Sequence, residues 1–251
     1  MSPHSEAQAK NGTRTNGTKD ESAEQRVKQI WRSADAVCFD VDSTACSDEA
    51  IDELAKFIGV GEQIAEATRQ AMNGGMRFRH YRDALSMRLN IMRPSQQILQ
   101  KYVNSSKPKL TPGIKELVSS LHSRKVDVYL VSGGFRFLIY PVADLLGINH
   151  DRVFANRLLF DENGNYAGFD PNEMTSDSGT KDVGKPAVIA HLKKTFGYKN
   201  IVMIGDGATD LEACPPADAF IGFGGNQIRE SVKNGSDWFV TDFNVLRREL
   251  E

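Results

Sequence analysis

Long apolar runs are missing from this chain. No hydrophobic stretch approaches the roughly 18 residues that a membrane-crossing helix needs, so nothing in it is expected to span a bilayer. Cysteine is scarce: Cys38, Cys46 and Cys214 show no metal-ligand spacing and cannot all pair. That excludes a disulfide-stapled miniprotein and points to a reducing, cytoplasmic compartment. An excess of one charge is also lacking, with 31 basic against 33 acidic residues and a net charge of −2. No global field then draws the chain to nucleic acid or an anionic membrane, and any charged ligand must be recognised locally. Length, by contrast, is ample: 251 residues can bury a substantial core.

The amino end is poor in apolar residues. Among positions 1–30 only Met1, Ala7, Ala9, Ala23, Val27 and Ile30 are apolar, and Asn-Gly-Thr occurs at Asn11 and again at Asn16. Such a composition cannot offset ordering entropy, so residues 1–26 are expected to form a disordered polar tail, with a short helix from Val27 to Trp31. A secretory signal would need an apolar segment here, and an organellar transit peptide would avoid Glu6, Asp20, Glu21 and Glu24.

From Ala34 onward, short apolar runs end abruptly on small or acidic residues. Ala36-Val37-Cys38-Phe39 stops at Asp40, Val126 to Val131 stops at Ser132, and Ile201 to Ile204 stops at Gly205-Asp206. Continuous apolar runs of this kind describe strands covered on both faces. Helical patterns lie between them at 135–146, 186–196 and 208–214. Further strands are expected at 217–221 and 238–240, and a closing helix at 243–250. The alternation predicts an α/β fold with a doubly wound, Rossmann-like parallel sheet.

Two segments interrupt it. The stretch between Phe39 and Val126 far exceeds a crossover connection and carries amphipathic helical patterns near 50–58, 62–72 and 79–92. An inserted helical cap is therefore expected over 48–103, with the core formed by 27–47 and 104–251. Arg157 to Phe169, with Asp161-Glu162-Asn163-Gly164-Asn165 at its centre, reads as a β-hairpin decorating the sheet edge.

Ligands in open α/β sheets bind beyond the carboxyl ends of the strands, and here those ends carry Asp40, Ser132 and Asp206. In Asp40-Val41-Asp42-Ser43-Thr44 a turn after Asp40 would bring two carboxylates near one substrate atom, one to attack and one to handle protons. The bland alternative for this pentapeptide is an Asx turn or helix cap. Ser132-Gly133-Gly134 offers a hydroxyl, unhindered N–H groups and an expected helix start, which together suit a phosphate. Gly205-Asp206-Gly207-Ala208-Thr209-Asp210 adds carboxylates, so that Asp40 and Asp206 would make a hard-oxygen site for Mg²⁺.

Competing chemistries fit less well. Gly179-Thr180-Lys181-Asp182-Val183-Gly184-Lys185 matches a P-loop up to its lysine, but Pro186 cannot supply the metal-binding hydroxyl. Lys185 is better read as an ammonium at a helix start above the crevice. No cysteine has an Arg six positions on, as a cysteine-phosphatase loop requires, and the five histidines form no i, i+4 pair.

Together the motifs resemble the haloacid dehalogenase superfamily of phosphohydrolases. The resemblance is carried by Phe39–Thr44, Ile51-Asp52-Glu53-Leu54-Ala55, Val131–Arg136, Met203–Asp210 and Glu212–Gly225, and it extends over about 31–251. The segments are most similar to the branch of the superfamily that acts on O-phospho-L-serine. That resemblance implies release of L-serine and inorganic phosphate through a phosphoaspartate, as the last step of serine biosynthesis.

By the same resemblance Asp40 is the nucleophile and Asp42 the general acid and then base. Asp40, the Asp42 backbone carbonyl and Asp206 hold Mg²⁺, with Thr44 and Asp210 behind them. Ser132 and Lys185 hold phosphoryl oxygens, and Gly133, Gly134 and Thr209 contact substrate. In the cap, Glu49 meets the substrate ammonium and Arg88 its carboxylate, while Met72 and Phe78 line the lid. Glu49 is equally an acid suited to a helix amino terminus. The chain is a few residues longer than the family pattern around His80-Tyr81-Arg82, leaving Arg79 and Arg82 as alternatives to Arg88. It is also longer before Lys185, leaving Lys181 as an alternative. Lys185 is preferred because Val188-Ile189 follow it at the family's distance. The expected partner is a small molecule, and a homodimer is compatible with the resemblance.

Overall fold

The computed structural model describes residues 21–73, 81–180 and 182–251. Six parallel strands form the central sheet: β1 (Ala36–Phe39), β2 (Asp127–Phe135), β3 (Val153–Asn156), β6 (Ile201–Gly205), β7 (Ala219–Phe223) and β8 (Trp238–Val240). Their spatial order is β3-β2-β1-β6-β7-β8. The order reverses beside β1, where Phe39 stands level with Leu130 of β2 and with Ile204 of β6. A crevice at this switch point follows from the topology.

Alternation within each strand explains why the runs read as continuously apolar. Val37 and Phe39, Val128 and Leu130, and Val202 and Ile204 enter one core. Ala36 and Cys38, Tyr129 and Val131, and Ile201 and Met203 enter the other. The first core is covered by α1 (Glu21–Arg32), α6 (Ile114–Ser123), α7 (Arg136–Leu146) and α11 (Phe243–Arg248). There the buried rings of Phe223 and Phe243 stack with centroids 4.1 Å apart. The second core is covered by α8 (Lys185–Phe196), α9 (Ala208–Leu211) and α10 (Glu230–Gly235).

Between β1 and β2 the chain builds a separate helical layer: α2 (Ala50–Ile58), α3 (Gly61–Asn73), α4 (Tyr81–Met92) and α5 (Gln96–Ser105). Leu54, Ile64, Leu85, Leu89 and Leu99 share an apolar cluster of their own with Phe135 and Leu138 of the core.

Four expectations need correction. Helix α1 begins at Glu21 instead of Val27, because Glu24 pairs with Lys28, whose ammonium also lies over the Trp238 ring and docks the turn on the sheet. Of the expected tail, residues 1–20 lie outside the described residues. Strand β2 runs on through Ser132-Gly133-Gly134 to Phe135, so α7 opens at Arg136 and no helix amino terminus falls at Ser132. The hairpin, β4 (Leu158–Phe160) with β5 (Tyr166–Phe169), forms its own two-stranded sheet instead of extending the large one. Leu158, Phe160, Tyr166 and Phe169 pack into the cluster of the helical layer, which removes them from water. Strand β7 begins at Ala219, two positions later than expected.

Candidate active site

A cavity of about 220 Å³ opens at the carboxyl ends of β1, β2 and β6. Asp40 enters it directly from β1, its N–H still donating to the Ile204 carbonyl at 2.9 Å as a continuation of the parallel ladder. Beyond Asp40 the backbone coils irregularly over Val41–Ala45, with Ser43 in the left-handed region at φ 56°. This turn carries Asp42 back to the cavity wall, where its Oδ1 accepts the Ala50 N–H at 2.8 Å.

The buried Lys185 ammonium lies 2.6 Å from Asp40 Oδ1 and also donates to Asp210 Oδ1. Asp210 Oδ2 accepts the Gly207 N–H at 2.9 Å. A Cβ at Gly205 would stand 2.1 Å from Asp210 Cγ, so only glycine lets that carboxylate lie against the strand end. Asp206 accepts from the Thr44 hydroxyl at 3.1 Å and from Arg229 Nε at 2.9 Å. Ser132 Oγ accepts the Gly134 N–H at 2.9 Å, which fixes the cradle on β2. Glu49 precedes α2 and accepts from the Ser43 hydroxyl at 2.7 Å, with Arg229 at 3.9 Å.

Burial dominates the electrostatics. Desolvation, reinforced by Asp210 and opposed by Lys185, raises the Asp40 carboxyl well above the ordinary range. Asp42 is pushed up to about 7, again by burial, with the Ala50 hydrogen bond opposing and Glu49 reinforcing. Burial alone would lower Lys185, but Asp210 and Asp40 outweigh it and hold the ammonium above its ordinary value.

The donor set fits a divalent cation. Oxygens of Asp40, Asp206 and Asp210 lie within 4.8 Å of one another. Six carboxylates, those of Asp40, Asp42, Glu49, Asp177, Asp206 and Asp210, line this cavity with two cations, Lys185 and Arg229. The excess of acidic groups favours a cation, and hard oxygen donors suit Mg²⁺.

Of the residues singled out in the sequence, Asp40, Asp42, Glu49, Ser132, Gly133, Gly134, Lys185, Asp206, Thr209 and Asp210 line the one cavity, and Thr44 stands behind Asp206. Arg88 does not line it: its guanidinium faces Asp52 at 3.8 Å, although its charge acts on Tyr81. Arg82 is engaged with Asp177, Ser176 and Pro171. Met72 lies in the last turn of α3, and its side chain, with Phe78, Arg79 and Lys181, lies outside the described residues. Tyr81, Asp177 and Arg229 also line the cavity. All three escape the sequence reading: Tyr81 and Asp177 fall in the lengthened segments, whose extra length is the available signal, and Arg229 follows the glycine pair after β7.

Fold and site together define a hydrolase built on a parallel α/β sheet, and residues 34–218 match the haloacid dehalogenase-like hydrolases, to which the chain belongs. It is 54% identical over 225 residues to phosphoserine phosphatase of Rattus norvegicus, covering 90% of this chain and 97% of that one. Within the superfamily it falls in the phosphoserine phosphatase family. Among solved structures, DsGPDH of Dunaliella salina superposes with a TM-score of 0.75 at 32% identity over 90% of this chain, which spans 37% of that larger one. A phospho-aspartyl intermediate analogue of phosphoserine phosphatase superposes with a TM-score of 0.66 at 26% identity, covering 87% of this chain and 99% of that one.

Proposed function

We propose that the protein hydrolyses O-phospho-L-serine to L-serine and inorganic phosphate, with Asp40 as nucleophile. The observation that carries the reading is the placement of Asp40 at the mouth of β1, beside Asp42 and under Lys185, facing the Ser132 cradle. An ionised carboxylate needs no general base, but like charges in a dehydrated cleft repel the incoming phosphate. Lys185 and the Ser132–Gly134 cradle offset that repulsion at the phosphoryl oxygens. Asp40 attacks in line while Asp42 protonates the departing serine oxygen, and Asp42 then takes a proton from the water that hydrolyses the phosphoaspartate. A carboxyl pushed up to about 7 suits both roles at neutral pH.

Mg²⁺, held by Asp40, Asp206 and the Asp42 backbone carbonyl with Thr44 and Asp210 behind, would supply charge neutralisation at the phosphoryl group. Residues 48–103 act as a cap over the site. Glu49 receives the substrate ammonium, Arg88 exchanges Asp52 for the substrate carboxylate, and Met72 and Phe78 belong to the lid. Among the described residues no helix is long and apolar enough to cross a membrane; we place the protein in the cytoplasm.

The decisive assay is phosphate release from O-phospho-L-serine with Mg²⁺ and with EDTA, beside O-phospho-L-threonine and an aryl phosphate. Metal-dependent turnover preferring phosphoserine is expected. Turnover of the aryl phosphate alone would remove the cap assignments, and no turnover would leave a phospholigand-binding module.

A further inference from the structure

The two segments that run longer than the family pattern meet in space. At the start of α4, Arg82 N–H donates to Asp177 Oδ1 at 3.3 Å and its Nη2 donates to Ser176 Oγ at 3.1 Å and to the Pro171 carbonyl at 3.4 Å. These contacts anchor α4 on the loop before Lys185. They also present Tyr81 to the cavity, where its hydroxyl donates to the Gly133 carbonyl at 2.7 Å. Burial raises the Tyr81 hydroxyl above its ordinary range, so it stays protonated as a donor. The same carbonyl accepts Asn156 Nδ2 at 2.7 Å, and Asn156 in turn accepts from Thr175 at 3.2 Å.

The Gly133 carbonyl and the Gly134 N–H belong to one planar peptide, so holding the first orients the second. The Gly134 N–H donates to Ser132 Oγ, the hydroxyl of the phosphate cradle. With glycine on both sides this peptide has unusual freedom to rotate, and it needs fixing from outside. Asn156 fixes it from the core and Tyr81 from the helical layer. The ring comes equally close: a Cβ at Gly133 would lie 2.5 Å from the Tyr81 hydroxyl and 2.7 Å from its Cζ.

We infer that Tyr81 is a positioning and size-selecting residue: its hydroxyl orients Ser132 through the Gly133–Gly134 peptide, and its ring walls the cavity down to the size of a small phosphomonoester. The inference rests on the phosphatase reading above. Tyr81→Phe keeps the wall and removes the lock. Losing one neutral hydrogen bond weakens binding about two- to tenfold, so the KM for O-phospho-L-serine should rise by that factor while kcat changes far less. A merely structural role would lower the melting temperature and leave KM alone. Tyr81→Ala also removes the wall and should raise the ratio of aryl phosphate to phosphoserine turnover. An unchanged KM in Tyr81→Phe overturns the positioning role, and an unchanged ratio in Tyr81→Ala overturns the size selection. Calorimetric binding of inorganic phosphate to the Mg²⁺-loaded full chain separates this from the substrate assignment. Should the wild type fail to hydrolyse phosphoserine, weaker phosphate binding by Tyr81→Phe still supports the lock, and equal binding refutes it.

Discussion

Replacing Lys185 with Met keeps most of the side-chain volume and removes one charge from the centre of the site. The ammonium is 8% exposed and is shared by Asp40, 11% exposed, and Asp210, fully buried. Breaking a buried ion network from one side costs about 3–5 kcal/mol, because the remaining charges stay desolvated and unpaired. For a chain of this size each kcal/mol moves the melting temperature by about 2–4 °C, which gives a fall of about 6–20 °C. The loss should be largest in EDTA at pH 7.5. It should shrink at pH 5, where raised carboxyl groups take up protons, and shrink again on addition of Mg²⁺. Circular dichroism melts of wild type and Lys185→Met under those three conditions provide the test. A fall under about 2 °C at pH 7.5, or an equal fall at both pH values, would refute a buried charge triad. With one phosphoryl-oxygen donor gone, kcat/KM should drop by about 10²–10³.

Gly205→Ala should unseat Asp210, since the added Cβ would overlap its carboxylate; overpacking of this kind costs about 1–3 kcal/mol, read as a lower urea midpoint at constant m. The raised carboxyl of Asp42 gives a sign to the pH dependence of the metal-free protein. A group protonated more readily folded than unfolded contributes stability below its unfolded pKa and loses it as pH rises through about 7. Melts in EDTA between pH 5 and 7.5 should therefore decline, by at most about 1.4 kcal/mol per pH unit for that group. Phosphoethanolamine lacks the substrate carboxylate, so wild type should prefer phosphoserine over it and Arg88→Ala should lose most of that preference; an unaltered ratio would remove Arg88 from recognition.

The sheet was legible because both its faces are buried, which turns strands such as Ile201–Ile204 into unbroken apolar runs. Asp40, Ser132, Asp206 and Lys185 were legible because chemistry in this topology collects where such runs stop. Helix α6 carries an apolar stripe of Ile114, Leu117, Val118 and Leu121 at helical spacing, although the sequence reading assigns no element there. Less could be read where tertiary contacts override local preference. The glycines after Ser132 suggest a helix start, yet pairing between Phe135 and Asn156 carries the strand onward across a bulge. Tyr81 and Arg229 belong to segments whose path is set by distant partners, Gly133 and Asp177 for one, Asp206 and Glu49 for the other.

The helical layer leaves and rejoins the core at almost one point. Cys46 bridges Leu110 in antiparallel fashion, Ser47 N–H donates to the Lys109 carbonyl at 2.9 Å, and Thr111 N–H donates to the Ala45 carbonyl at 2.9 Å. Asn226 pins the junction from below, its amide reaching the carbonyls of Ser43 and Cys46 and the Thr111 hydroxyl. A segment attached in this way hangs on a short two-stranded stem. Provided that Ala50 still donates to Asp42 and Tyr81 to the Gly133 carbonyl, its sequence can drift or lengthen while the stem holds its two ends together, so under the cap role proposed above selection can retune which phosphomonoester is admitted.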